Sequence, residues 1–373
     1  MKHFRWAVLP FAVAVFLALT CCSACSGAKE AVPENIGTIT LMTWNVNNLF
    51  DGKDNGFEYA EFLESAGWSN EKYLGRVNAI SAAIGAIQPP PDIIMFQEIE
   101  SLKIIEDIAA SLSSGYGWSH FAVNPGASLG LGILSRLPIL QASAHSITID
   151  GETAPRPVLE ARVKAGEGEF AVFVCHWKSK LGDEEVTERV RRSSARVILR
   201  RIRELWENEP QVGVIAAGDL NENHDEFFRQ GASKICALLP DDPFCAELTG
   251  CAGADGRQDA GKQRDFIILS KNKPPVPVHF PQEAVVLFSP WLRDLEKGSY
   301  YYKHEWETID HFLISGQFFD GAGWEYERVV TADFSPFVNL SGVPVSYNVR
   351  TGSGLSDHLP LLLTLKMAAN INE

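Results

Sequence analysis

Residues 71–88 carry Leu74, Val77, Ile80, Ile84 and Ile87 at helical spacing, and Pro89-Pro90-Pro91 stops the helix they predict. A strand-length apolar run, Asp92-Ile93-Ile94-Met95-Phe96, follows at once. A helix with one apolar stripe must lay it on a flat apolar surface, and the next element is itself a buried strand. The succession therefore predicts a layered α/β domain. It recurs at residues 186–208, where Val190, Val197, Leu199, Ile202 and Leu205 form a stripe and Val214-Ile215-Ala216-Ala217 comes next. Further strands are expected at 36–46, 129–138, 156–163, 169–175, 310–315 and 356–365, and another helix at 99–112. With 373 residues, 46% of them hydrophobic and 21% charged, the chain has core enough for one large domain or two ordinary ones.

The ends of these strands carry the chemistry. Gly218-Asp219-Leu220-Asn221 closes one of them, and strand alternation puts Asp219 and Asn221 on the same face. The plainer account of that pair is a strand end followed by an Asx turn. Gln97-Glu98 closes a second strand, Asn45 and Asn47 a third, and His176-Trp177-Lys178-Ser179-Lys180 a fourth. Asp310-His311 and Asp357-His358 open two others. A buried Asp meeting a His in space would fix the imidazole tautomer and raise its pKa. Arg156 could face a phosphate, although surface charge is its plainer role; Lys178 leaves its strand beside His176 as a phosphate-friendly group, and Arg192 lies near the start of a helix with seven arginines between 189 and 203. The ordinary role of such arginines is a solvated face. Gly130 and Gly132 make no nucleotide fingerprint, because no helix opens behind them. No Ser or Cys nucleophile beside a base is evident, which disfavours a covalent hydrolase.

The formal charge is −14, from 33 basic and 47 acidic residues, so there is no basic nucleic-acid footprint. A polyanionic substrate would need local help from a divalent cation or a few placed Lys, Arg and His residues. At the N-terminus Lys2 and Arg5 precede an apolar run over 7–20 that contains Pro10 and is short for a membrane span. Residues 1–25 are expected to be a signal peptide of lipoprotein type, with Cys21, Cys22 and Cys25 all open as the first mature residue; a plain secretory signal is the alternative. Residues 26–36 then form a flexible tether. Cys236, Cys245 and Cys251 lie in an irregular stretch, 231–262, read as an insertion; an exported chain permits a bridge, Cys245–Cys251 being preferred, and the spacing does not match zinc.

Lined up in order, Trp44-Asn45, Gln97-Glu98, His176-Trp177-Lys178-Ser179, Gly218-Asp219-Leu220-Asn221, Ile309-Asp310-His311 and Ser356-Asp357-His358 resemble the endonuclease/exonuclease/phosphatase superfamily, also called DNase I-like. The resemblance implies an α/β (α+β) fold, a four-layer sandwich of two central mixed β-sheets flanked by helices, as one domain over 37–367. It also implies Mg²⁺- or Mn²⁺-dependent hydrolysis of a phosphate ester. Carried over by position, Glu98 is the principal metal ligand, assisted by Asn45 and Asp357. Asp219 orients or deprotonates water, Asn221 holds the phosphate, His358 contacts it and is oriented by Asp310, and His176 is an acid or a phosphate ligand. By residue type and place in the chain rather than by the resemblance, Asn45, Lys178, Arg156 and Arg192 are the candidate phosphate contacts. Asn47 stands where some members have an acidic residue, which leaves the metal's charge balance, and a second metal, open.

The expected function is an exported phosphodiesterase, foremost a nuclease, working as a monomer in the cell envelope, tethered to a membrane through a lipidated cysteine, or secreted. A sphingomyelinase-like phospholipid phosphodiesterase, an inositol or sugar phosphatase, and a non-catalytic envelope binding protein are the alternatives. Specificity lies in loops, so the shared core does not choose among them.

Overall fold

The computed structural model describes residues 37–112, 115–242, 265–276 and 285–369. The expected leader and tether, with Cys21, Cys22 and Cys25, and the Cys245–Cys251 pair lie outside the described residues.

Two large mixed sheets form the centre. The first orders its strands Trp324–Thr331, Leu361–Met367, Thr38–Leu49, Ile93–Ile99, Gly130–Ser135 and Trp118–Ala122. The second runs Leu238–Pro240, Ile267–Ser270, Val286–Phe288, Asp310–Ile314, Gly213–Asp219, Gly168–His176, Val158–Ala165 and Ile139–His145. Alternation sorts each strand's side chains between two cores. Ile39, Leu41, Ile93 and Met95 of the first sheet meet Val172, Val174, Ile215 and Ala217 of the second in one buried cluster. Met42, Trp44, Ile94 and Phe96 turn the other way, onto Val77, Ile80, Ile84, Ile104 and Ile108 of the helices Asn70–Gly85 and Leu102–Ser111. Phe173, Val214, Ala216 and Leu313 face Ile198, Leu199 and Ile202 of the helix Glu184–Asn208. Helix, sheet, sheet, helix: this is the DNase I-like four-layer sandwich.

Several boundaries differ from the sequence expectation, for local reasons. The first helix buries Tyr73 and leaves Leu74 exposed, so its stripe starts one residue earlier than hydrophobicity alone implied. The long helix begins at Glu184 because Asp183 caps it, accepting from the Val186 amide at 3.0 Å. Ile99 completes a strand rather than opening a helix. Within the stretch read as an insertion, Leu238–Pro240 pairs in parallel with Ile267–Ser270 and so belongs to the second sheet's edge. Three residues are too few to show a period, and edge strands need no long apolar run.

Strand direction makes the site. Thr38–Leu49 runs parallel to Ile93–Ile99, and Gly168–His176 parallel to Gly213–Asp219. Their C-terminal ends therefore lie at one edge. The antiparallel strands Asp310–Ile314 and Leu361–Met367 start at that same edge.

Candidate active site

The first sheet contributes Asn45 and Glu98 through a defect in its ladder. Pairing between Thr38–Leu49 and Ile93–Ile99 shifts register between Asn45 and Leu49, and the ladder to Gly130–Ser135 shifts between Gln97 and Ile99. Glu98 sits in that bulge at φ 63°, with Asn47 and Asn48 at φ 59° and 60°. Asparagine tolerates the left-handed region; glutamate does so at a cost of order ~1 kcal/mol or more. Two hydrogen bonds hold it there, from the Asn48 amide to Oε2 at 2.8 Å and from Asn45 Nδ2 to Oε1 at 3.1 Å. A bulge re-aims a side chain, here toward the second sheet. Buried Arg76 braces the strand end from the helix below, donating to the carbonyls of Val46 and Asn48, both at 2.5 Å, and of Asn47.

The second sheet contributes a row in register: Asp219 pairs with His176 on one side and Asp310 on the other. Gly218 makes this possible. Its φ is +136°, and a Cβ there would stand 2.0 Å from the Cys175 carbonyl oxygen. Asn45 Nδ2 crosses between the sheets and also donates to Asp219 Oδ2 at 3.0 Å, so one carboxamide links the two carboxylates. Asp219 Oδ1 accepts from the Asn221 amide at 2.9 Å. Nε2 of His176 stands 3.4 Å from Asp219 Oδ2 and 3.7 Å from Glu98 Oε1. His358 Nδ1 meets Asp310 Oδ2 at 2.9 Å, and its Nε2 points back to within 3.9 Å of Asp219 Oδ2. The Tyr300 ring lies 4.6 Å from the His358 ring.

Burial sets opposite charges on the two imidazoles. For His176, desolvation, then Arg156 and His358, all act downward, so the ring is neutral at pH 7 and its approach to the carboxylates is not an ion pair. For His358, burial also acts downward, but Asp310, Asp219 and Asp357 outweigh it and hold the imidazolium well above its ordinary range. Burial raises the Asp219 carboxyl, Asp310 adds to the rise, and His358 and the hydrogen bonds from Asn45 and Asn221 restrain it. A carboxyl raised toward neutrality beside a charged imidazole is equipped for proton transfer.

The structure thus brings Asn45, Glu98, His176, Asp219, Asp310, Asp357 and His358 to one place. Asn221, at φ 51°, turns its carboxamide back to the Trp177 carbonyl at 3.1 Å, which Arg156 also contacts at 3.2 Å. Arg156 and Lys178 line a pocket beside His176. Arg192 does not join the phosphate contacts: it pairs with Asp265 at 2.7 Å, because its position on the helix faces that loop. Sequence reasoning missed Arg76, Ser299 and Ser356. Ser299 Oγ donates to Asp310 Oδ2 at 2.6 Å, and Ser356 Oγ to the Asn45 carbonyl at 2.6 Å. Arg76 had a signal, a cation three residues after Tyr73 and four before Ile80, inside the buried stripe. Ser356 stood inside the Ser356-Asp357-His358 motif without a role assigned to it, and Ser299 had no signal.

The donor set suits a hard divalent cation. Asp357 Oδ1 is buried with no hydrogen-bond partner, though His358 Nε2 stands 4.0 Å away; burial raises the carboxyl, His358 restrains the rise, and the neighbouring negative charge of Glu98 adds to it. A buried carboxylate oxygen without a hydrogen bond, beside a second carboxylate, is a place for a cation. Asp219, Asp310 and His358 also offer ligand atoms within 4.8 Å of one another. Since His358 and Asp310 already satisfy each other, the pair Glu98 and Asp357 is the better-fitting set.

Residues 40–234 match the model of the Endonuclease/Exonuclease/phosphatase family. No curated protein matches the chain. Among solved structures, TDP2 of D. rerio, complexed with a single-strand DNA product, is 13% identical, with 89% of this chain and 100% of that one covered at a TM-score of 0.51. A mannosyl-6-phosphatase of Bacteroides thetaiotaomicron VPI-5482 is 16% identical over 88% and 99%, with a TM-score of 0.48. A functionally unknown conserved protein of Enterococcus faecalis V583 is 15% identical over 88% and 100%, with a TM-score of 0.47. Likeness at such identities speaks to fold alone. The family match, spanning more than half of the chain, and the sandwich that carries it establish that this chain belongs to the Endonuclease/Exonuclease/phosphatase family, phosphoesterases that use divalent metals.

Proposed function

We propose that the chain is an exported phosphodiesterase dependent on Mg²⁺ or Mn²⁺, acting on nucleic acid as a monomer. The observation that carries the catalytic reading is the single point shared by both sheets: Asp219 Oδ2, bonded to Asn45 and approached by the Nε2 atoms of His176 and His358. Glu98 and Asp357, with Asn45 beside them, would hold the cation, which when bound neutralises charge on the phosphoryl oxygens. The chain's own groups do the rest. Asp219 orients a water and takes its proton as the water oxygen forms the new bond to phosphorus. His358, charged and fixed by Asp310, donates through Nε2 to a non-bridging phosphoryl oxygen. The ester P–O bond opposite the water breaks, and the departing oxygen takes its proton from solvent. Neutral His176 is suited to binding phosphate rather than to acting as the acid.

Nucleic acid is favoured over phospholipid by the rim beside His358. Tyr300 and Tyr302 stack at 6.0 Å with an interplanar angle of 18°, a face on which a base can lie. The turn of that hairpin is Lys303-His304, polar where insertion into a bilayer would want apolar side chains. Export rests on Lys2, Arg5, the apolar run over 7–20 and the cysteines behind it, and a lipidated cysteine would tether the domain to the envelope membrane.

The test is hydrolysis of bis(p-nitrophenyl) phosphate, single-stranded DNA and RNA, sphingomyelin and inositol phosphates with Mg²⁺ or Mn²⁺, by the wild type and Asp219→Asn. Diester cleavage that falls roughly 10²–10⁴-fold in the variant, with the fold retained, is expected. Undiminished cleavage by the purified variant refutes the role of Asp219, and a preference for sphingomyelin or for monoesters refutes the nuclease reading.

A further inference from the structure

Beside His176 lies a pocket of about 330 Å³ that His176 lines and His358 does not. Tyr59, Leu129, Ile147, Pro155 and Val190 give it apolar walls, and Arg156 and Lys178 give it charge. Its volume is within the range of small-molecule sites, roughly 300–1,000 Å³. Among the described residues no Asp or Glu lines it, in a chain with 47 acidic residues.

The two cations differ from their neighbours in one respect. Lys180 is bonded to Glu226, Arg191 to Glu188 and Glu222, Arg192 to Asp265 and Arg189 to Asp150. Arg156 and Lys178 have no carboxylate partner among the described residues. Arg156 donates to the Trp177 carbonyl, and Lys178 Nζ rests on Ser179 Oγ at 3.2 Å and the Leu181 carbonyl at 3.1 Å. Burial, Arg156 and Arg191 all disfavour the charge on Lys178. Two like charges lining one small pocket without a counter-ion repel each other unless an anion joins them. In an acidic chain that arrangement is selective for an anion of the right size.

We propose that this pocket receives one ester arm of the substrate and selects arms that carry a second phosphate, held by Arg156 and Lys178. The proposal rests on the phosphodiesterase reading and narrows it. The reacting phosphate belongs at Asp219 and His358, and the neighbouring phosphate of the same strand, or the terminal phosphate of a short oligonucleotide, lies beyond His176. The pocket's size suits one nucleotide unit and excludes a base-paired one, so single strands and small nucleotides fit where duplex does not.

The test is calorimetric binding of thymidine 5′-monophosphate and thymidine 3′,5′-bisphosphate to the full domain at matched Mg²⁺, with release of inorganic phosphate followed in parallel. The bisphosphate should bind roughly tenfold tighter or better, the worth of one charge-assisted contact pair. Arg156→Gln or Lys178→Gln should bring that advantage to about twofold or less; Lys178 is on a partly exposed loop, so its substitution tests the pocket even where Arg156→Gln disturbs folding. Loss of the advantage in either folded variant supports the subsite. Equal affinities in the wild type, absence of binding by both ligands, or an advantage that survives both substitutions overturns it. Failure of the phosphodiesterase reading would show instead in the bis(p-nitrophenyl) phosphate assay, which needs no second phosphate.

Discussion

Asn45 joins the carboxylates of two sheets through one Nδ2 atom, and its Oδ1 accepts from the Asn47 amide at 3.0 Å. Residues like this were legible in the sequence because strand ends fix polar groups in place: Glu98, Asp219, His176 and His358 are all found where short apolar runs stop or start. Their partners were not legible from local pattern: that Asp310 orients His358 came from the family resemblance alone, because the hydrogen bond His358 donates to Asp310 spans 48 residues and is decided by topology. That bond gives a residue-scale prediction. Asp310 is the strongest of the groups holding the His358 imidazolium above its ordinary value. In metal-free protein His358 should stay protonated at pH 7, and Asp310→Asn should drop its titration so that the ring is neutral there. The imidazole signals in an NMR pH titration report this directly. An unchanged midpoint would mean that Asp219 and Asp357 suffice. Arg76→Met makes a second case at this scale. It leaves the Val46, Asn47 and Asn48 carbonyls without their buried donor, and at ~1–3 kcal/mol for an unmade bond the variant should lose about 3 kcal/mol in urea unfolding.

Strands and helices depend on a few positions where backbone geometry admits one solution. Gly218 is the sharpest. Any Cβ meets the Cys175 carbonyl of the parallel neighbour, and φ +136° is itself rare for an L side chain. Gly218→Ala should therefore cost about 3 kcal/mol or more and move Asp219 out of register with His176; a variant of unchanged stability would show that the strand can shift at no cost. The glycine was visible in the sequence only as part of a motif, since the clash comes from a strand 43 residues earlier. A pH effect belongs to this scale too. Glu160, on Val158–Ala165, receives Arg201 Nε of the long helix at 2.9 Å and His145 Nε2 of the edge strand at 2.7 Å. Burial raises its carboxyl, but these partners win and depress it below its usual 4.5. A depressed acid contributes stability above its unfolded pKa and loses it as pH falls through the folded value. Glu160→Gln should thus melt lower than wild type at pH 7, with the gap narrowing as pH falls below the carboxyl's ordinary 4.5 and closing once the depressed folded value is passed. A gap that is the same at both pH values would assign the effect to packing. None of this tie was legible, because Glu160 looks like any charge on an outward-facing strand position.

At the scale of the whole molecule, the site is a seam. Asn45 and Glu98 come from the first sheet and Asp357 from the segment leading into its Leu361–Met367 strand, while His176, Asp219 and Asp310 come from the second. That the domain is layered was legible from helix and strand periods, since those patterns state which faces must be covered, whereas the four-layer order was implied by the family resemblance alone. Edge strands such as Leu238–Pro240 were not, having too few residues to carry a period. A cation held by Glu98 and Asp357 would tie groups that otherwise repel, and it would bind only the folded chain. Mass action then predicts a rise in stability of about 2.7 kcal/mol at a hundredfold excess over its dissociation constant. Thermal unfolding with and without Mg²⁺ or Mn²⁺ should show this as an upward shift that a chelator reverses. Asp357→Asn separates the electrostatic cause from a general salt effect. Without metal the variant should melt at or above wild type, because burial and Glu98 outweigh the His358 imidazolium 4.0 Å from Asp357 Oδ1 and raise that carboxyl, so neutralising it removes a net cost. With metal it should gain much less than wild type. A variant that melts lower without metal yet keeps the full metal-induced rise would place the cation elsewhere in the seam, at Asp219, Asp310 and His358.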